Sequence, residues 1–396
     1  MKQLAILGST GSIGRQCLSV VDALTGRFKV AALAAGNNLD ELTGQIERYA
    51  PEVVSVGDAQ KADELAAKLS GKRVMPLPAI HHGREGMLVV GTHSAADIVV
   101  SAAVGVVGLE ATYEAIKLGK TIALSNKEVL VAAGEIVMAA AHKAGKELLP
   151  VDSEHNAVHQ CLRGGKHSEV RKLVLTASGG PFRKTPISKL GEVTVEQALA
   201  HPNWKMGNRI TVDSATMMNK GFEVIEARWL FDMKPVQVDV VIHPQSTVHS
   251  MVEFVDGSVL AQLGATDMRM PIQYALTYPE RVASNQVDLD WTKLKRLDFE
   301  KVSTRRYPCL RLAREAMKKG GAWPCALNAA DEVAVAAFLE RQIPFLGIPV
   351  VVENVLARTP RGKIERMDDV LAADAEARRI AKEEVIRLAT KSLVAS

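Results

Sequence analysis

Apolar residues follow two alternating spacings along the first 150 residues, and each spacing predicts one type of element. Compact apolar runs at 4–7, 29–35 and 121–124 predict buried strands, whereas apolar positions three or four residues apart predict helices such as 40–49. Strands that alternate with helices are typical of a parallel, doubly wound α/β sheet. The elements expected here are strands at 4–7, 29–35, 53–56, 73–75, 86–90, 98–100 and 121–124, a helix after the first strand, and helices at 40–49, 59–69 and 109–118.

A second unit begins after Pro150, and from Val238 the pattern predicts mainly strands. Predicted strands at 247–255 and 258–263 flank Asp256 and Gly257, a pair that favours a β-hairpin. This predicts an α+β segment with a mixed or antiparallel sheet. Its other expected elements are a strand at 172–176 and helices at 194–199 and 268–278.

Residues 286–308 show little periodicity and predict a linker. Helical spacing dominates the residues that follow, with expected helices at 309–319, 326–342, 351–357 and 367–390, so we expect a small helical bundle. The sequence thereby predicts a division into residues 1–150, 151–285, 286–308 and 309–396.

Composition narrows the class of protein. The chain has 396 residues, of which 47% are hydrophobic and 24% charged, values typical of globular proteins with two or three domains. A net charge of +4 with only 4% aromatic residues does not favour a nucleic-acid surface. The longest apolar run, 98–109, is shorter than the about 20 residues of a membrane span. With a strand beginning by Leu4, we expect a cytoplasmic protein without a leader peptide.

The four cysteines are scattered along the chain without a CxxC pair. This spacing predicts buried thiols and favours neither a disulfide framework nor a zinc site.

A glycine turn joins the first strand to the first helix. Gly8, Gly11 and Gly14 have the spacing GxxGxxG, and the order strand, turn, helix is the context in which backbone N–H groups bind a pyrophosphate. We interpret this as a Rossmann-type dinucleotide site; an ordinary tight turn is the alternative. The next strand ends in Gly36-Asn37-Asn38, without the acidic residue that holds an NAD ribose, which favours NADP although neither asparagine is cationic.

Two carboxylates, Asp152 and Glu154, stand two residues apart after an apolar run. In an extended segment such residues face the same way, and their oxygens would suit a hard divalent ion, Mg²⁺ or Mn²⁺. Glu223 is the best candidate for a third ligand. Alternatively, Asp152 or Ser153 caps a helix running to about residue 162, with Glu154 in its first turn. Lys220 and Glu223 could equally form a solvated helix pair at i, i+3.

Other polar clusters interrupt apolar sequence. Asn126, Lys127 and Glu128 follow a buried strand, where ligands bind in open α/β sheets, although a helix start would explain them equally. Ser178 with the following glycines suits close approach to a phosphate, or forms an ST-turn.

A third polar stretch, His201 to Arg209, contains one of four tryptophans, Trp204. It predicts either a loop that closes over a ligand or a tryptophan anchored in the core. The donors on Ser214, Asn219 and Lys220 form a natural phosphate or polyol set.

Together these sites suggest a metal that binds two oxygens of a hydroxy-ketone and a nicotinamide that reduces the resulting carbonyl. The chain also resembles the 1-deoxy-D-xylulose 5-phosphate reductoisomerase family over its whole length, including the helical tail. The resemblance is carried by six ordered motifs: the glycine turn 8–14, the Ser-Asn-Lys-Glu stretch 125–128, the Val-Asp-Ser-Glu-His stretch 151–155, the Ser-Gly-Gly-Pro-Phe stretch 178–182, the segment 201–207 and the segment 213–223.

The resemblance implies a role for individual residues. It implies metal ligation by Asp152, Glu154 and Glu223, with Lys127 and His201 completing the catalytic set. The implied substrate contacts are Lys127, Ser153, Glu154, Ser178, His201, Trp204, Ser214, Asn219, Lys220 and Glu223, of which Ser178, Ser214, Asn219 and Lys220 form the phosphate pocket. The implied NADPH contacts are Thr10, Gly11, Ser12, Ile13, Gly36, Asn37, Asn38, Asn126, Glu128 and Gly207. Members of the family often carry a basic residue where Asn37 stands here.

The family implies an NADPH- and metal-dependent enzyme, with Mg²⁺, Mn²⁺ or Co²⁺, that rearranges a sugar phosphate and then reduces it on the route to isoprenoids. Residues 1–150 would bind NADPH, and 151–285 would catalyse the reaction, carry a flexible flap and form a homodimer. Fosmidomycin is the known inhibitor of the family. The rival hypotheses are another NADP-dependent oxidoreductase that acts on a sugar phosphate without rearrangement, and a nucleotide-sensing regulatory protein.

Overall fold

Two β-sheets organise the described residues, 1–72, 76–204, 206–283 and 288–395 of this computed structural model. The strands of the first sheet are β1 (Lys2–Leu7), β2 (Phe28–Ala34), β3 (Val53–Val56), β4 (Ala79–His82), β5 (Ile98–Ser101), β6 (Thr121–Leu124) and β7 (Leu148–Pro150). The strands of the second are β8 (Val170–Ala177), β9 (Val238–Ile242), β10 (Val248–Phe254), β11 (Val259–Leu263) and β12 (Glu300–Lys301). The first sheet is parallel, with the order β4-β3-β2-β1-β5-β6-β7. The second is mixed, with the order β11-β10-β8-β9-β12 and a single parallel pair, β8 and β9, among the described strands.

Helices follow most of these strands. In the described residues they are α1 (Ser12–Ala23), α2 (Leu39–Tyr49), α3 (Ala59–Ser70), α4 (Gly83–Thr92), α5 (Leu109–Lys117), α6 (Glu128–Lys143), α7 (Ser153–Leu162), α8 (Val195–Leu199), α9 (Asn208–Thr216), α10 (Met218–Leu230), α11 (Arg269–Thr277), α12 (Pro308–Lys319), α13 (Trp323–Leu339), α14 (Gly347–Arg358) and α15 (Met367–Ala395). None of these described helices is both long and apolar enough to cross a bilayer.

The chain divides into two units. Unit 1 comprises Met1–Val129, Val137–Asn156 and Asp267–Asp288. Unit 2 comprises Leu130–Ile136, Ala157–Thr266 and Leu289–Ser396. The predicted doubly wound parallel sheet, the mixed second sheet and the helical C-terminal region are confirmed. The finer division into four segments stays a prediction.

Unit 1 is built around the parallel sheet, whose inner strands are apolar on both faces. Leu4, Ile6 and Leu33 are fully buried in its core, as expected for strands covered by helices on each side. Helix α11, which the sequence pattern assigned to the central segment, belongs to this unit and packs on α1. Its residues Ile272 and Leu276 join the same core.

Unit 2 has one apolar core that joins the mixed sheet to the C-terminal helices. Leu173 and Val252 from the sheet, Phe222 from α10 and Leu327 from α13 are all buried in it. The predicted hairpin is confirmed, since β10 and β11 pair antiparallel across Asp256-Gly257. The capping box of α8 is also present, with Thr194 and Gln197 exchanging hydrogen bonds.

Some local predictions are wrong. Residues 86–90 lie in α4, and the strand of this region is β4, just before it. A short apolar run cannot distinguish a strand from a buried helix segment. Gly86 allows α4 to approach β3 closely, because a Cβ at Gly86 would stand 2.3 Å from Ser55 Oγ. The expected linker contains a short strand, β12, paired with β9, and the strand expected at 73–75 lies outside the described residues.

The four cysteines are buried free thiols, as predicted. Burial raises the pKa of the Cys17 thiol to about 12, so it stays neutral and unreactive.

Candidate active site

Four strands of unit 1 end at residues that pair with one another across the sheet. Several candidate ligand-binding residues follow directly after these strand ends. Leu7 of β1 pairs with Ser101 of β5, Ser101 with Leu124 of β6, and Leu124 with Pro150 of β7. The polar residues that follow these strands therefore start from the same carboxyl-terminal edge, where open α/β sheets bind ligands. β1 and β7 lie three strand spacings apart, about 14 Å.

The glycine turn after β1 is tightly folded. Gly8 has φ of 87°, and a Cβ there would lie 2.6 Å from the carbonyl oxygen of Ala102. A Cβ at Gly14 would stand 2.4 Å from Gly8 O, so α1 rests directly on the turn. Helix α1 begins at Ser12, and its N-cap, Gly11, supplies no side-chain hydrogen bond. The first N–H groups of α1 are therefore available to an anionic ligand. The predicted cofactor contacts at this turn are exposed or partly exposed: Thr10, Gly11, Ser12 and Ile13.

The two asparagines after β2 have different environments. Asn38 Oδ1 accepts the Glu41 N–H at 3.2 Å and so caps α2. Asn37 is exposed, and its Oδ1 lies 3.2 Å from where a Cβ of Gly57 would stand. Both asparagines are predicted cofactor contacts, but the Asn38 side-chain oxygen already accepts a hydrogen bond from the start of α2.

Two hydrogen bonds hold the side chain of Asn126, which follows β6 in the chain. Its Nδ2 donates to Gly105 O at 2.6 Å, and its Oδ1 accepts the Glu128 N–H at 3.1 Å. Helix α6 begins at Glu128, so the helix-start alternative describes the local structure correctly. The arrangement leaves the partly exposed Glu128 in the first turn, at the ligand-binding edge of the sheet.

Lys127 and Asp152 meet across the ends of neighbouring strands. Lys127 Nζ lies 2.9 Å from Asp152 Oδ2, and the same oxygen is 3.1 Å from His155 Nδ1. Burial alone would raise the pKa of the Asp152 carboxyl, but the charge of Lys127 and the hydrogen bond with His155 outweigh it and hold that pKa well below its ordinary value. Asp152 is consequently an anion at neutral pH.

The argument that Asp152 and Glu154 share a face of an extended segment is wrong. Helix α7 begins at Ser153, and the Asp152 carbonyl accepts the Asn156 N–H at 2.8 Å, as a residue at the N-cap does. The helix-start alternative is the correct one. Glu154 lies in the first turn, where Ser153 Oγ donates to Glu154 Oε2 at 2.8 Å.

In unit 2, Glu223 is fully buried on α10 together with Lys220. Asn219 Nδ2 donates to Glu223 Oε1 at 2.6 Å, and Lys220 Nζ forms an ion pair with Glu223 Oε2. The spacing i, i+3 is as expected, but the pair is not solvated. Burying a carboxylate is unfavourable unless hydrogen bonds or a nearby cation compensate its charge. This compensation matters more for a buried carboxylate than for an exposed one.

Ser178 and Ser214 are brought close by a glycine loop. Gly180 has φ of 67°, and a Cβ there would lie 2.8 Å from Ser214 O. The Gly180 N–H donates to Ser178 Oγ at 3.1 Å, which is the ST-turn considered as the alternative. The ST-turn is compatible with phosphate binding at this loop, because the turn fixes the position of the Ser178 hydroxyl.

His201 orients that hydroxyl. Its Nδ1 accepts the N–H groups of Asn203 and Trp204 at 3.2 and 3.0 Å, so the neutral ring carries its hydrogen on Nε2. Nε2 in turn donates to Ser178 Oγ at 3.1 Å. Burial lowers the pKa of His201, which favours this neutral form. Since Ser178 Oγ accepts from both His201 and Gly180, its own hydrogen is directed to a further acceptor, as a bound phosphate oxygen would be.

Trp204 is partly exposed and lies beside a buried histidine that sequence reasoning missed. The Trp204 and His249 ring centroids are 6.5 Å apart. Burial lowers the pKa of His249 to about 4, and its Nδ1 makes no hydrogen bond within the described residues. His249 is on β10 and has no motif around it, so no sequence pattern indicates its position beside Trp204. His155 was also missed, although its position three residues after Asp152 could have indicated it.

Gly207, the last predicted cofactor contact, is the N-cap of α9, and its carbonyl accepts the Thr211 hydroxyl at 2.8 Å. Gly36 is exposed at the end of β2. Both positions leave backbone groups accessible to a ligand.

Comparison with known proteins gives a consistent result along the chain. Three family models match: 1-deoxy-D-xylulose 5-phosphate reductoisomerase at residues 4–134, 1-deoxy-D-xylulose 5-phosphate reductoisomerase C-terminal domain at 148–231, and DXP reductoisomerase C-terminal domain at 263–380. The chain is 52% identical over 385 residues to the 1-deoxy-D-xylulose 5-phosphate reductoisomerase of Solibacter usitatus, covering 97% of each chain. It is 50% identical over 378 residues to that of Pelotomaculum thermopropionicum, covering 96% of this chain and 97% of the relative.

Solved structures agree with these relatives. A DOX-P reductoisomerase crystallised with NADPH, fosmidomycin and magnesium has a TM-score of 0.92 at 39% identity and covers 97% of this chain and 98% of its own. The Zymomonas mobilis enzyme in complex with NADPH has a TM-score of 0.89 at 41% identity and covers 97% and 99%. The chain therefore belongs to the 1-deoxy-D-xylulose 5-phosphate reductoisomerase family.

Proposed function

We propose that the protein converts 1-deoxy-D-xylulose 5-phosphate into 2-C-methyl-D-erythritol 4-phosphate, by rearranging the carbon skeleton and reducing the product with NADPH. The observation that carries the proposal is the alignment of the ends of β1 and β7 across the sheet. It places a dinucleotide turn and an ionised carboxylate, Asp152, on one edge of one sheet, as a metal-assisted reduction requires. The family membership agrees with it.

A divalent cation fits the donors that the described residues offer. Carboxylate oxygens predominate, and the Asp152 carboxyl is held ionised, which suits Mg²⁺ or Mn²⁺. We propose Asp152, Glu154 and Glu223 as its ligands. When bound, the ion would polarise the substrate carbonyl and lower the pKa of the neighbouring hydroxyl. Lys127, an ammonium beside Asp152, would donate a hydrogen bond to a substrate hydroxyl.

The phosphate of the substrate is assigned to Ser178, Ser214, Asn219 and Lys220. The oriented Ser178 hydroxyl and the close approach of Gly180 to Ser214 support this assignment. Neutral His201 would hold Ser178 in place, and the partly exposed Trp204 would cover the carbon chain of the substrate and exclude water. Ser153, at the start of α7, would hold a substrate hydroxyl.

The reductant would be NADPH, bound at the glycine turn and along the ends of β2 and β6. The absence of a carboxylate at Gly36, Asn37 and Asn38 favours a 2′-phosphate, since no negative charge repels it there. Asn126 and Glu128 would lie near the nicotinamide ribose.

A homodimer is proposed on the edge of the mixed sheet. β11 is the last strand on one side of that sheet, and Val259 and Leu260 on it are 51% and 39% exposed. An edge strand with exposed apolar side chains is a natural surface for pairing with a second copy. We also place the protein in the cytoplasm, because its cysteines are free thiols.

The decisive experiment is incubation with 1-deoxy-D-xylulose 5-phosphate, NADPH and Mg²⁺, followed by NADPH absorbance and by carbon NMR of the product. We expect NADPH oxidation together with a branched carbon skeleton, blocked by fosmidomycin. NADPH oxidation with an unbranched product would instead identify an oxidoreductase without rearrangement. NADPH binding without turnover or metal binding would identify a nucleotide sensor.

A further inference from the structure

A partly buried polar network joins the start of α9 to α13 and α15 within unit 2. Arg209 Nη1 donates to Glu332 Oε1 at 2.6 Å, and Arg209 Nη2 donates to Asn328 Oδ1 at 3.0 Å. The other oxygen of Glu332 pairs with Arg378 on α15, and Arg378 Nε also binds Asp374 at 2.6 Å. Because the Arg209 guanidinium donates to two side chains of α13, its position relative to α13 is fixed in two directions.

Arg209 also lies near two further buried acidic side chains. Its Nε lies 3.6 Å from Asp213 Oδ2, one turn later on α9, and its Nη2 lies 3.7 Å from Asp331 Oδ2 on α13. Asp331 is fully buried, and its burial, followed by the charge of Asp213, raises the pKa of Asp331 well above its ordinary value. Replacing Arg209 would therefore remove a cation that lies beside the buried Asp213 carboxylate and between α9 and α13.

Helix α9 needs such an anchor because it is not a continuation of α10. Met217, between the two helices, has φ of 62°, a left-handed conformation that interrupts the helical path. The orientation of α9 is consequently free to differ from that of α10 unless its other end is held. Arg209, the second residue of α9, is held by α13.

The position of α9 determines the geometry of the Ser178 loop. Ser214 O and Ala215 Cα would lie 2.8 and 2.9 Å from a Cβ at Gly180, so the helix and the loop are in direct contact. A small displacement of α9 would therefore move Ser214 and press on Ser178 at the same time. Since oriented hydroxyls bind an anion only over a narrow range of distances, both would lose affinity.

We infer that Arg209, clamped by Asn328 and Glu332 of α13, is a positioning residue for the phosphate-binding hydroxyls of Ser178 and Ser214. The C-terminal helices thus set the affinity of the pocket for phosphate without touching the ligand. This inference rests on the proposed function of the Ser178 and Ser214 pocket, and it gives the C-terminal helices a role that their sequence did not indicate.

The test compares Arg209→Met with a matched control, Arg314→Met. Arg314 is a partly buried arginine on α12 of the same unit, and it donates a hydrogen bond to Val238 O on β9. Inorganic phosphate is titrated calorimetrically into each protein, and NADPH is titrated separately by fluorescence. We expect Arg209→Met to weaken phosphate binding about tenfold, with a matching rise in KM for the sugar phosphate. NADPH affinity should fall less, because Gly207 at the N-cap of α9 is only one of the proposed cofactor contacts. Arg314→Met should lower the Tm without changing phosphate affinity.

Two further variants keep the inference testable if Arg209→Met does not fold. Glu332→Gln removes one charge of the clamp and should weaken phosphate binding in the same direction. Arg209→Lys should recover only part of the affinity, because one ammonium cannot reproduce the two-sided guanidinium contact. Unchanged phosphate affinity in Arg209→Met or Glu332→Gln, or an equal loss in Arg314→Met, would overturn the inference.

Failure of the proposed function is a separate outcome. If the wild-type protein binds phosphate but does not turn over 1-deoxy-D-xylulose 5-phosphate, the reaction is misassigned, while the phosphate titrations of the variants still decide the role of Arg209.

Discussion

The ammonium of Lys127 lies 2.9 Å from Oδ2 of Asp152, although the two residues follow different strands. Their meeting is a consequence of parallel pairing, since Leu124 of β6 is in register with Pro150 of β7 and each side chain extends from the strand end. Asp152 places a negative charge at the carboxyl-terminal edge of the sheet, and the ammonium of Lys127 neutralises it. A bound metal ion could supplement or replace that ammonium.

Lys127→Met should make the protein dependent on a cation for stability. Loss of the ammonium leaves Asp152 without its strongest partner, which should cost on the order of 3 kcal/mol of unfolding free energy without metal. Mg²⁺ should then raise the Tm of the variant more than that of the wild type, because the ion replaces the missing charge. Thermal unfolding with and without Mg²⁺ measures this. Lys117→Met, which removes an exposed pair with Glu114, is the control and should change stability by at most about 0.5 kcal/mol. Equal Mg²⁺ effects in Lys127→Met and the wild type would contradict the prediction.

Glu223→Gln should lower turnover about a thousandfold, because several kcal/mol of metal-assisted stabilisation are lost. The amide oxygen can still accept from Asn219, so NADPH binding should persist, whereas loss of the buried ion pair with Lys220 should lower the Tm. Turnover and the NADPH Kd are measured in parallel. The matched control is Glu226→Gln, a fully buried carboxylate on the same helix, which should retain turnover within about tenfold. A variant of Glu223 that stays active after chelation of metal would show that the carboxylate is not a ligand.

Trp204→Ala should weaken the sugar phosphate far more than the cofactor. Removing the indole loses about 1.5–3 kcal/mol of apolar contact with the covered substrate, equivalent to a rise in KM of roughly ten- to a hundredfold. The NADPH Kd should change little. Comparable losses for both ligands would instead mean that the indole only supports the fold through its neighbour His249.

Asn37→Arg should increase the preference for NADPH over NADH by roughly ten- to a hundredfold, since a new charged hydrogen bond to a 2′-phosphate is worth about 1.5–3 kcal/mol. Asn37 is exposed, so the longer side chain can be accommodated. The kcat/KM values with the two cofactors are the measurement. Asn38→Ala serves for comparison: it removes the cap of α2 and should lower stability by about 1 kcal/mol without a similar gain in preference. If the wild-type protein prefers NADH, the proposal that residues 36–38 favour a 2′-phosphate is wrong.

His249 should make the fold sensitive to mild acid. Burial holds its pKa near 4 in the folded state, below the ordinary value of 6.5, so the folded protein takes up this proton less readily than the unfolded chain. Its contribution is therefore fully present above about pH 6.5 and is lost as the pH falls from there towards 4, by up to about 3 kcal/mol. Urea unfolding from pH 7 to pH 4.5 measures the slope. His249→Asn should flatten the slope, and an unchanged slope would contradict the assignment.

Much of the local structure follows from the sequence. The strand and the helix at the start of the chain lie where the apolar spacing predicts them. The turn between them forms at Gly8, because glycine adopts a positive φ that is unfavourable for other residues. The hairpin of β10 and β11 is predicted by its turn residues. Residues 86–90 were misassigned because a short apolar run has the same appearance in a helix and a strand.

The candidate site was predicted by residue type, but its geometry was not. Asp152 and Glu154 were assigned to an extended segment, whereas they stand at a helix start. Lys220 and Glu223 have a spacing that suits an exposed pair, and only packing reveals that both are buried. His249 has no motif around it, so its burial and its lowered pKa depend entirely on neighbours distant along the chain.

The sequence by itself determined the order of elements, the oxygen-rich donor set and the family, because these depend on local spacing and on residue identity. Tertiary structure decided which groups meet: the register of parallel strands joins Lys127 to Asp152, and the docking of α9 on α13 joins Arg209 to Glu332. These contacts link residues far apart in the chain, and their charges and burial arise only after strands pair and helices pack, which no local pattern encodes.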